Sequence, residues 1–413
     1  MRSPGPAAHR PAALVFILIT LLIDVMGLGL IIPVFPNLIR QLSGSATAGA
    51  QLLGVFTAIY AVMQFIFAPI LGALSDRYGR RPVLLLSLLG VGLDYLLMYF
   101  APSLGWLLLG RVIAGITGAS VTVANAYVAD VTAPEDRAKA FGMMGAAFGV
   151  GFVVGPAIGG LLGEFGPRVP FYVAAAISGA NFVFGYFVLP ETLPPEKRRR
   201  FDWRRSNPFG TFRVFQSYTG VLPLIGVLFV FFFASSVYPA IWPFWGMAKF
   251  DWSTATVGLT LAAFGIIAAI TQGVLAGPLV KRFGEHKVAL FGLIFAVIAA
   301  IGYGWAPGLL VVLVMLVIHA PEGLVHPMLI ALMSKAVPDN AQGELQGGIS
   351  SVMNVAMLAG TVFFSQVFGY FMQADAPVIS ASIGFYFAAG LLAVALAMFV
   401  VVDRDRKVPA AAE

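Results

Sequence analysis

Twelve apolar segments, separated mostly by short polar turns, limit what this chain can fold into. They lie near residues 12–38, 50–74, 83–101, 104–128, 139–163, 169–189, 219–247, 253–280, 286–305, 309–335, 342–371 and 377–402. A segment of about 20 apolar residues is the length that carries an α-helix across a hydrocarbon core of roughly 30 Å. Inside lipid every backbone N–H and C=O must be satisfied within the protein, so segments of this length are read as helices. Charge agrees with length: 11% of residues are charged and 59% hydrophobic, against about a quarter charged in soluble domains. Most side chains therefore face something other than water.

The basic residues orient these spans. With both termini cytoplasmic, 21 of the 25 lysines and arginines fall on inside segments and only Arg40, Arg168 and Lys249 outside, with Arg111 within a span. That asymmetry is what the positive-inside rule requires, and removing one span would scramble it. The expected location is a bacterial inner (cytoplasmic) membrane, crossed many times. The first segment is too long for a signal peptide and lacks a small-residue cleavage site. The net charge of +6 follows from these loops beside anionic lipid, so a nucleic-acid partner is not expected. Without cysteine there is no disulfide, thiolate metal site or thiol chemistry.

The longest polar stretch, 190–217, carries KRRR and RR. It divides an N-terminal bundle, 1–189, from a C-terminal bundle, 218–413. An internal repeat supports the division. GALSDRYGRRPVLL from Gly72 matches GPLVKRFGEHKVAL from Gly277, with Gly72, Arg77, Gly79 and Val83 answered 205 positions later by Gly277, Arg282, Gly284 and Val288. The expected fold is an all-α membrane protein of twelve transmembrane helices in two pseudo-symmetric six-helix bundles. Paired membrane halves with a central site are a transporter architecture.

Ionisable groups at mid-bilayer cost at least roughly 2.5–3.5 kcal/mol each, so they need partners or water. Asp24 lies in span 1, Asp94 in span 3, Arg111 in span 4 and Glu322 in span 10. Asp24 and Asp94 are candidate proton sites with Arg111 as a switchable counter-charge; a fixed ion pair holding the helices is the alternative. Span 10 reads His319-Ala-Pro-Glu322-Gly-Leu-Val-His326, which on an α-helix puts three polar groups on one face. That face is a second proton or substrate site, a passive lining, or least plausibly a divalent-metal site; no metal is assigned. Tyr60, Gln64, Asn125, Phe233, Tyr238, Trp242, Gln346 and Asn354 are candidate cavity residues. For Gln64 and Asn125, interhelical hydrogen bonds compete with substrate contact. For Trp242, an interfacial aromatic belt competes with a pocket.

Gly72-Ala-Leu-Ser-Asp76-Arg77-Tyr-Gly79-Arg80-Arg81 resembles the loop signature between helices 2 and 3 of the major facilitator superfamily. Gly110-Arg111 with Gly115 and Gly118 resembles a motif of its drug/proton antiporter branch. Gly151, Gly155, Pro156, Gly159 and Gly160 resemble the antiporter motif of helix 5. The stretches Asp24–Pro33, Tyr60–Phe65, Leu261–Ile266 and Gln342–Gly347 are similar to tetracycline-efflux proteins. The resemblance implies that the loop is a cytoplasmic gate. Asp76 is expected to meet a helix start near Gln342–Glu344, and the arginines to pair with Asp130, Glu135 or Asp136. Two coupling groups of the tetracycline exporters, a helix 8 histidine and a helix 9 acid, align with Ala268 and Ala296 here, which puts tetracycline itself in doubt.

The expected function is proton-coupled export of amphipathic drug-like molecules by alternating access, with the proton as coupling ion, no cofactor and a monomeric protein. A carrier of a physiological solute such as a sugar, metabolite or lipid precursor is the alternative. The gate motif and mid-membrane acids argue against a non-transporting receptor or scaffold. No nucleophile–base signature or phosphate loop points to an enzyme or a nucleotide-driven pump.

Overall fold

The computed structural model describes residues 10–44, 46–118, 121–133, 136–198, 221–337 and 342–407. Among them the regular structure is helical. Eleven stretches are long and apolar enough to span a membrane, and one of these, Thr254–Trp305, runs for 52 residues. Gly284 interrupts it with φ 77°, ψ 159°, which no helix accommodates. It is two spans, and the total is the twelve that the sequence implies. The protein is a multi-pass membrane protein.

The sequence repeat is carried into the backbone. Gly79, between α3 (Ala46–Tyr78) and α4 (Arg80–Phe100), has φ 106°, ψ 158°. Its counterpart Gly284 has nearly the same angles. This region of φ/ψ space is essentially reserved for glycine, so a motif glycine reverses the chain at the same point of each half.

The chain forms two compact units. One holds Met1–Gly44, Ile59–Pro208 and Ser253–Ala262; the other holds Ser45–Ala58, Phe209–Trp252 and Ala263–Glu413. Each expected bundle thus lends one helix end to the other unit.

In the first unit, α1 (Arg10–Ile31) packs along α7 (Arg137–Gly163) and α8 (Val169–Val188). The α4 helix packs on α8 and on α5 (Leu104–Gly118), and α6 (Val121–Val131) on α1. Ile17, Leu21, Val83, Leu84, Tyr127 and Val128 fill the core between them. The short α2 (Phe35–Ser43) stops at Gly44, in the left-handed region at φ 70°, whose N–H closes onto the Arg40 carbonyl.

In the second unit the seventh span is split into α9 (Leu222–Ser235) and α10 (Val237–Phe250). Pro239 has no N–H for the Ser235 carbonyl, which loosens the helix there. The eighth span is α11 (Thr254–Ile270) followed by a π-turn, Thr271–Leu275. The ninth belongs to α12 (Ala276–Trp305). The tenth runs as α13 (Leu309–His319), a 3-10 segment Ala320–Leu324, and α14 (Val325–Ser334). Pro321 and Pro327 each remove a helical donor in this stretch. The last two spans are α15 (Gln342–Phe371) and α16 (Ile383–Lys407). Leu228, Phe231, Leu293, Ala296, Leu329 and Leu392 form part of the core.

Candidate functional site

In the first unit α4 supplies Asp94 and α5 supplies Arg111. Arg111 Nη2 donates to Asp94 Oδ2 at 3.1 Å, with side chains 7% and 1% exposed. Gly110 makes this approach possible, because a Cβ there would stand 2.6 Å from Asp94 Oδ1. The guanidinium lies over the Phe35 ring at 5.1 Å. Asp94 Oδ1 and Arg111 Nε have no hydrogen-bond partner among the described residues, so the pair is incompletely satisfied.

Asp24, half-buried on α1, forms no ion pair among the described residues. Its charge and those of Asp94 and Arg111 act on both Tyr60 and Tyr95. Gly27, three residues on, gives room to the Tyr95 hydroxyl, 3.2 Å from where its Cβ would be. Gln64 Nε2 donates to the Tyr60 hydroxyl at 3.3 Å and to the Gly118 carbonyl at 3.2 Å, tying α3 to α5. This is the interhelical use of the amide. Asn125 is exposed on α6.

The second unit gathers its polar groups at the helix breaks. Glu322, in the 3-10 segment, accepts from the Ser235 hydroxyl at 2.5 Å and the Tyr238 hydroxyl at 3.3 Å. These donors sit on either side of the break in the seventh span. His319 Nε2 lies 2.9 Å from Glu322 Oε2, and its Nδ1 lies 3.2 Å from the Tyr303 hydroxyl. With the Tyr303 hydroxyl donating to Nδ1, the ring hydrogen sits on Nε2 and points toward Glu322, one tautomer of the neutral imidazole. The ring is held between Tyr238 and Phe264, at centroid distances of 4.2 and 4.7 Å.

The one-face arrangement expected of His319, Glu322 and His326 is not what forms. The intervening turn is 3-10, with three residues per turn rather than 3.6. His319 and Glu322 meet, while His326 packs edge-on against Phe232 at 5.2 Å, its buried Nε2 without a hydrogen-bond partner among the described residues. Among the described residues no group of three His, Asp or Glu is placed to hold a metal ion.

The aromatic residues of the seventh span are packed among other rings of the second unit. Trp242 and Trp245 are 4% and 0% exposed and pack with Trp252, Tyr303 and Phe385. Phe233 is half-buried beside Phe229 and Phe363. Gln346 and Asn354 are exposed on α15.

In the loop expected to form a gate, Arg80 is the hub. It donates to Asp130 Oδ2 at 3.1 Å and, through Nη1, to Asp76 Oδ1 and Ser75 Oγ, each at 2.6 Å. The other two arginines do not share this role. Arg77 lies over the Tyr78 ring, and Arg81 donates to the Tyr186 carbonyl at 2.6 Å. Glu135 and the side chains of Gln342–Glu344 lie outside the described residues. Glu191, which the sequence reading passed over, accepts from the backbone N–H groups of Arg80 and Arg81 at 2.9 and 3.3 Å. A carboxylate at these orphan donors complements the helix N-terminus. Its acidic residue in Pro190-Glu191-Thr192-Leu193 was the available signal.

The glycines on α7 have two faces. Gly151, Gly155 and Gly159 meet the backbone of α1; a Cβ on Gly155 would stand 2.7 Å from the Met26 carbonyl, and one on Gly159 would strike Leu30. Gly160 and Gly163 meet Thr254.

With this geometry in view, the sequence profile of the Major Facilitator Superfamily matches residues 17–361 and 224–413. The chain belongs to the major facilitator superfamily. It is 41% identical over 361 residues to the class C tetracycline resistance protein of Escherichia coli, covering 86% of this chain and 89% of that one. It is 30% identical over 355 residues to multidrug resistance protein 2 of Bacillus subtilis (strain 168), covering 84% and 86%. Among solved structures, the human organic anion transporter MFSD10 (TETRAN) aligns with a TM-score of 0.69 at 23% identity, over 94% of this chain and 99% of that one. A bacterial homologue of the human lysosomal transporter Spinster aligns with a TM-score of 0.76 at 17% identity, over 97% and 98%. These likenesses carry the facilitator fold. Ala296, at the position aligned with the exporters' helix 9 acid, is 0% exposed in the core of the second unit. A core methyl group stands there.

Proposed function

We propose that this facilitator exports amphipathic drug-like molecules in exchange for protons. The observation that carries the reading is a buried carboxylate centre in each unit, Asp94–Arg111 in one and His319–Glu322 in the other, in a chain about 40% identical to tetracycline resistance proteins. A carboxylate that takes up a proton loses its charge and with it the ionic part of its pairing. Each centre has a basic group to take up the difference, and Asp24 adds beside the first a carboxylate without such a partner among the described residues. One proton moving inward yields roughly 2.3 kcal/mol per 100 mV of membrane potential, which is enough for useful accumulation without a nucleotide.

The protein works in this reading as a monomer in a bacterial inner membrane, with both termini cytoplasmic, the proton as coupling ion and no cofactor. Its gate is the Arg80 cluster. The test is proton/substrate exchange in liposomes under an imposed pH gradient, with a drug panel that includes tetracycline. Asp24→Asn, Asp94→Asn and Glu322→Gln are compared with the wild type. Loss of gradient-driven transport in at least one is expected; retention in all three sinks the coupling assignment.

Alanines at 268 and 296 favour a second reading, transport of one physiological solute class. Competition separates the two: unrelated lipophilic compounds inhibit one another in the first and not in the second.

A further inference from the structure

The eighth span leaves α-helical geometry at Thr271–Leu275, where a π-turn inserts one residue into the helical register. Such turns weaken local hydrogen bonding and occur frequently at functional sites. Here Thr271 is buried and donates its hydroxyl back to the Ile267 carbonyl at 2.9 Å, while the next residue, Gln272, is exposed. Gln272 is the one amide or charged side chain between Thr254 and Val280. It has no hydrogen-bond partner among the described residues. An unpartnered amide is costly against hydrocarbon, so it belongs where water or a ligand reaches it.

Its position is specific. Gln272 Nε2 comes within 3.0 Å of where a Cβ on Gly323 would lie. The amide head therefore rests against the 3-10 segment Ala320–Leu324, one residue from Glu322. The absent side chain of Gly323 leaves that room. Two irregular turns in neighbouring spans thus bring a free amide against Gly323, the residue next in sequence to Glu322 of the His319–Glu322 dyad.

We propose that Gln272 is a specificity-determining residue of this site, binding a neutral hydrogen-bonding edge of the substrate, such as a keto, hydroxyl or amide group. A carboxamide both donates and accepts, so it serves any of these groups without adding charge to a site whose charge belongs to Glu322. Sites built on such bonds discriminate against compounds that leave them unpaired. The assignment rests on the export reading above.

The experiment measures transport kinetics in proteoliposomes for compounds bearing keto, hydroxyl or amide groups, such as tetracycline, and for tetraphenylphosphonium, which has none. Gln272→Leu removes the amide at similar size, and Gly323→Ala crowds it. In Gln272→Leu, KM for the hydrogen-bonding compounds rises about five-fold, the loss expected for one hydrogen bond, while kcat and its pH profile are unchanged. The phosphonium KM does not move. Gly323→Ala shifts the same KM values in the same direction by less. An unmoved KM for every compound carried, or a uniform fall in kcat with an altered pH profile, overturns the assignment while leaving export intact. A wild type that carries none of them overturns the export reading, and this assignment with it.

Discussion

His319 Nε2 stands 2.9 Å from Glu322 Oε2, with both side chains about 95% closed to solvent at 5% and 6% exposure. Ser235 and Tyr238 hold the carboxylate and Tyr303 holds the other ring nitrogen. A proton passing between imidazole and carboxylate changes the charge of both ends of one short bond. It also changes how strongly Glu322 draws the two donors that flank the break in the seventh span. Glu322→Gln keeps an acceptor for Ser235 and removes the charge. Gradient-driven accumulation is expected to fall at least about ten-fold, equivalent to roughly 1.4 kcal/mol, while downhill exchange persists. Uphill and downhill fluxes from the same liposomes decide it, and equal loss of both places Glu322 in folding rather than coupling.

The Asp94–Arg111 pair depends on a hydrogen atom. Gly110→Ala puts a methyl group 2.6 Å from Asp94 Oδ1 and 2.8 Å from Met98 Sδ, so the carboxylate must move away from Arg111. Separating a buried pair is costly, about 3–5 kcal/mol when one partner is lost. Transport by Gly110→Ala is expected to approach that of Asp94→Asn, and the double variant to be little worse than either. Full additivity of the two losses would show that Gly110 acts elsewhere.

The twelve spans and the two-fold repeat were legible because they rest on segment length and a motif, each a local property of the chain. The matched backbone angles of Gly79 and Gly284 show how literally the repeat is built. Asp94, Arg111 and Glu322 were legible because charge inside an apolar run is expensive. What spacing alone could not show was how helix geometry changes locally. The face drawn through His319, Glu322 and His326 assumed an α-helix where two prolines enforce a tighter turn. Gln272 was hidden for the same reason, since a π-turn decides where it points. Ser235, Tyr303 and Glu191 acquire their roles only through tertiary partners, and a lone hydroxyl or loop acid carries little signal beforehand. For Trp242 the sequence left belt and pocket open, because burial among other rings is a tertiary fact.

The Arg80 cluster makes a graded set of expectations. Glu191→Ala strips the carboxylate from the start of α4, a loss of the size of an N-cap, about 1 kcal/mol. Glu191→Gln, which can still accept, falls between. Gly79→Ala is worse than both, because φ 106° excludes a side chain and the new methyl would collide with the Glu191 carboxylate. Thermal unfolding of the detergent-solubilised variants should rank them in that order, and a Gly79→Ala protein as stable as wild type contradicts the geometry.

Packed and open glycines on α7 predict opposite outcomes for the same substitution. Gly159→Ala drives a methyl into the Leu30 backbone on α1 and should destabilise by about 1–3 kcal/mol, the usual range for overpacking. Gly149→Ala, ten residues earlier, meets nothing within 4 Å and should stay within about 0.5 kcal/mol of wild type. Melting curves of the pair separate close packing from a general need for flexible glycines.

Beyond the end of α7, Glu164 ties that helix to the start of α11 within the first unit. Its Oε1 accepts from the Thr254 hydroxyl and the Ala255 N–H, each at 2.9 Å. These hydrogen bonds, the backbone one foremost, hold the carboxyl below the ordinary glutamate range. A lowered folded-state value means that the contact favours the folded form at any pH above the unfolded value, near 4.3. It is lost as pH falls through the folded-state value. The carboxylate is exposed, so the contribution is no more than about 1 kcal/mol. Glu164→Ala should therefore melt below wild type at pH 7, and the gap should narrow as the buffer is taken below about pH 4. Glu164→Gln keeps a carbonyl acceptor without a titrating charge, so between pH 7 and that acid limit its melting temperature should change less than that of wild type. A wild-type advantage over Glu164→Ala that is constant down to the lowest pH at which the protein stays folded would mean that the charge contributes nothing to this joint.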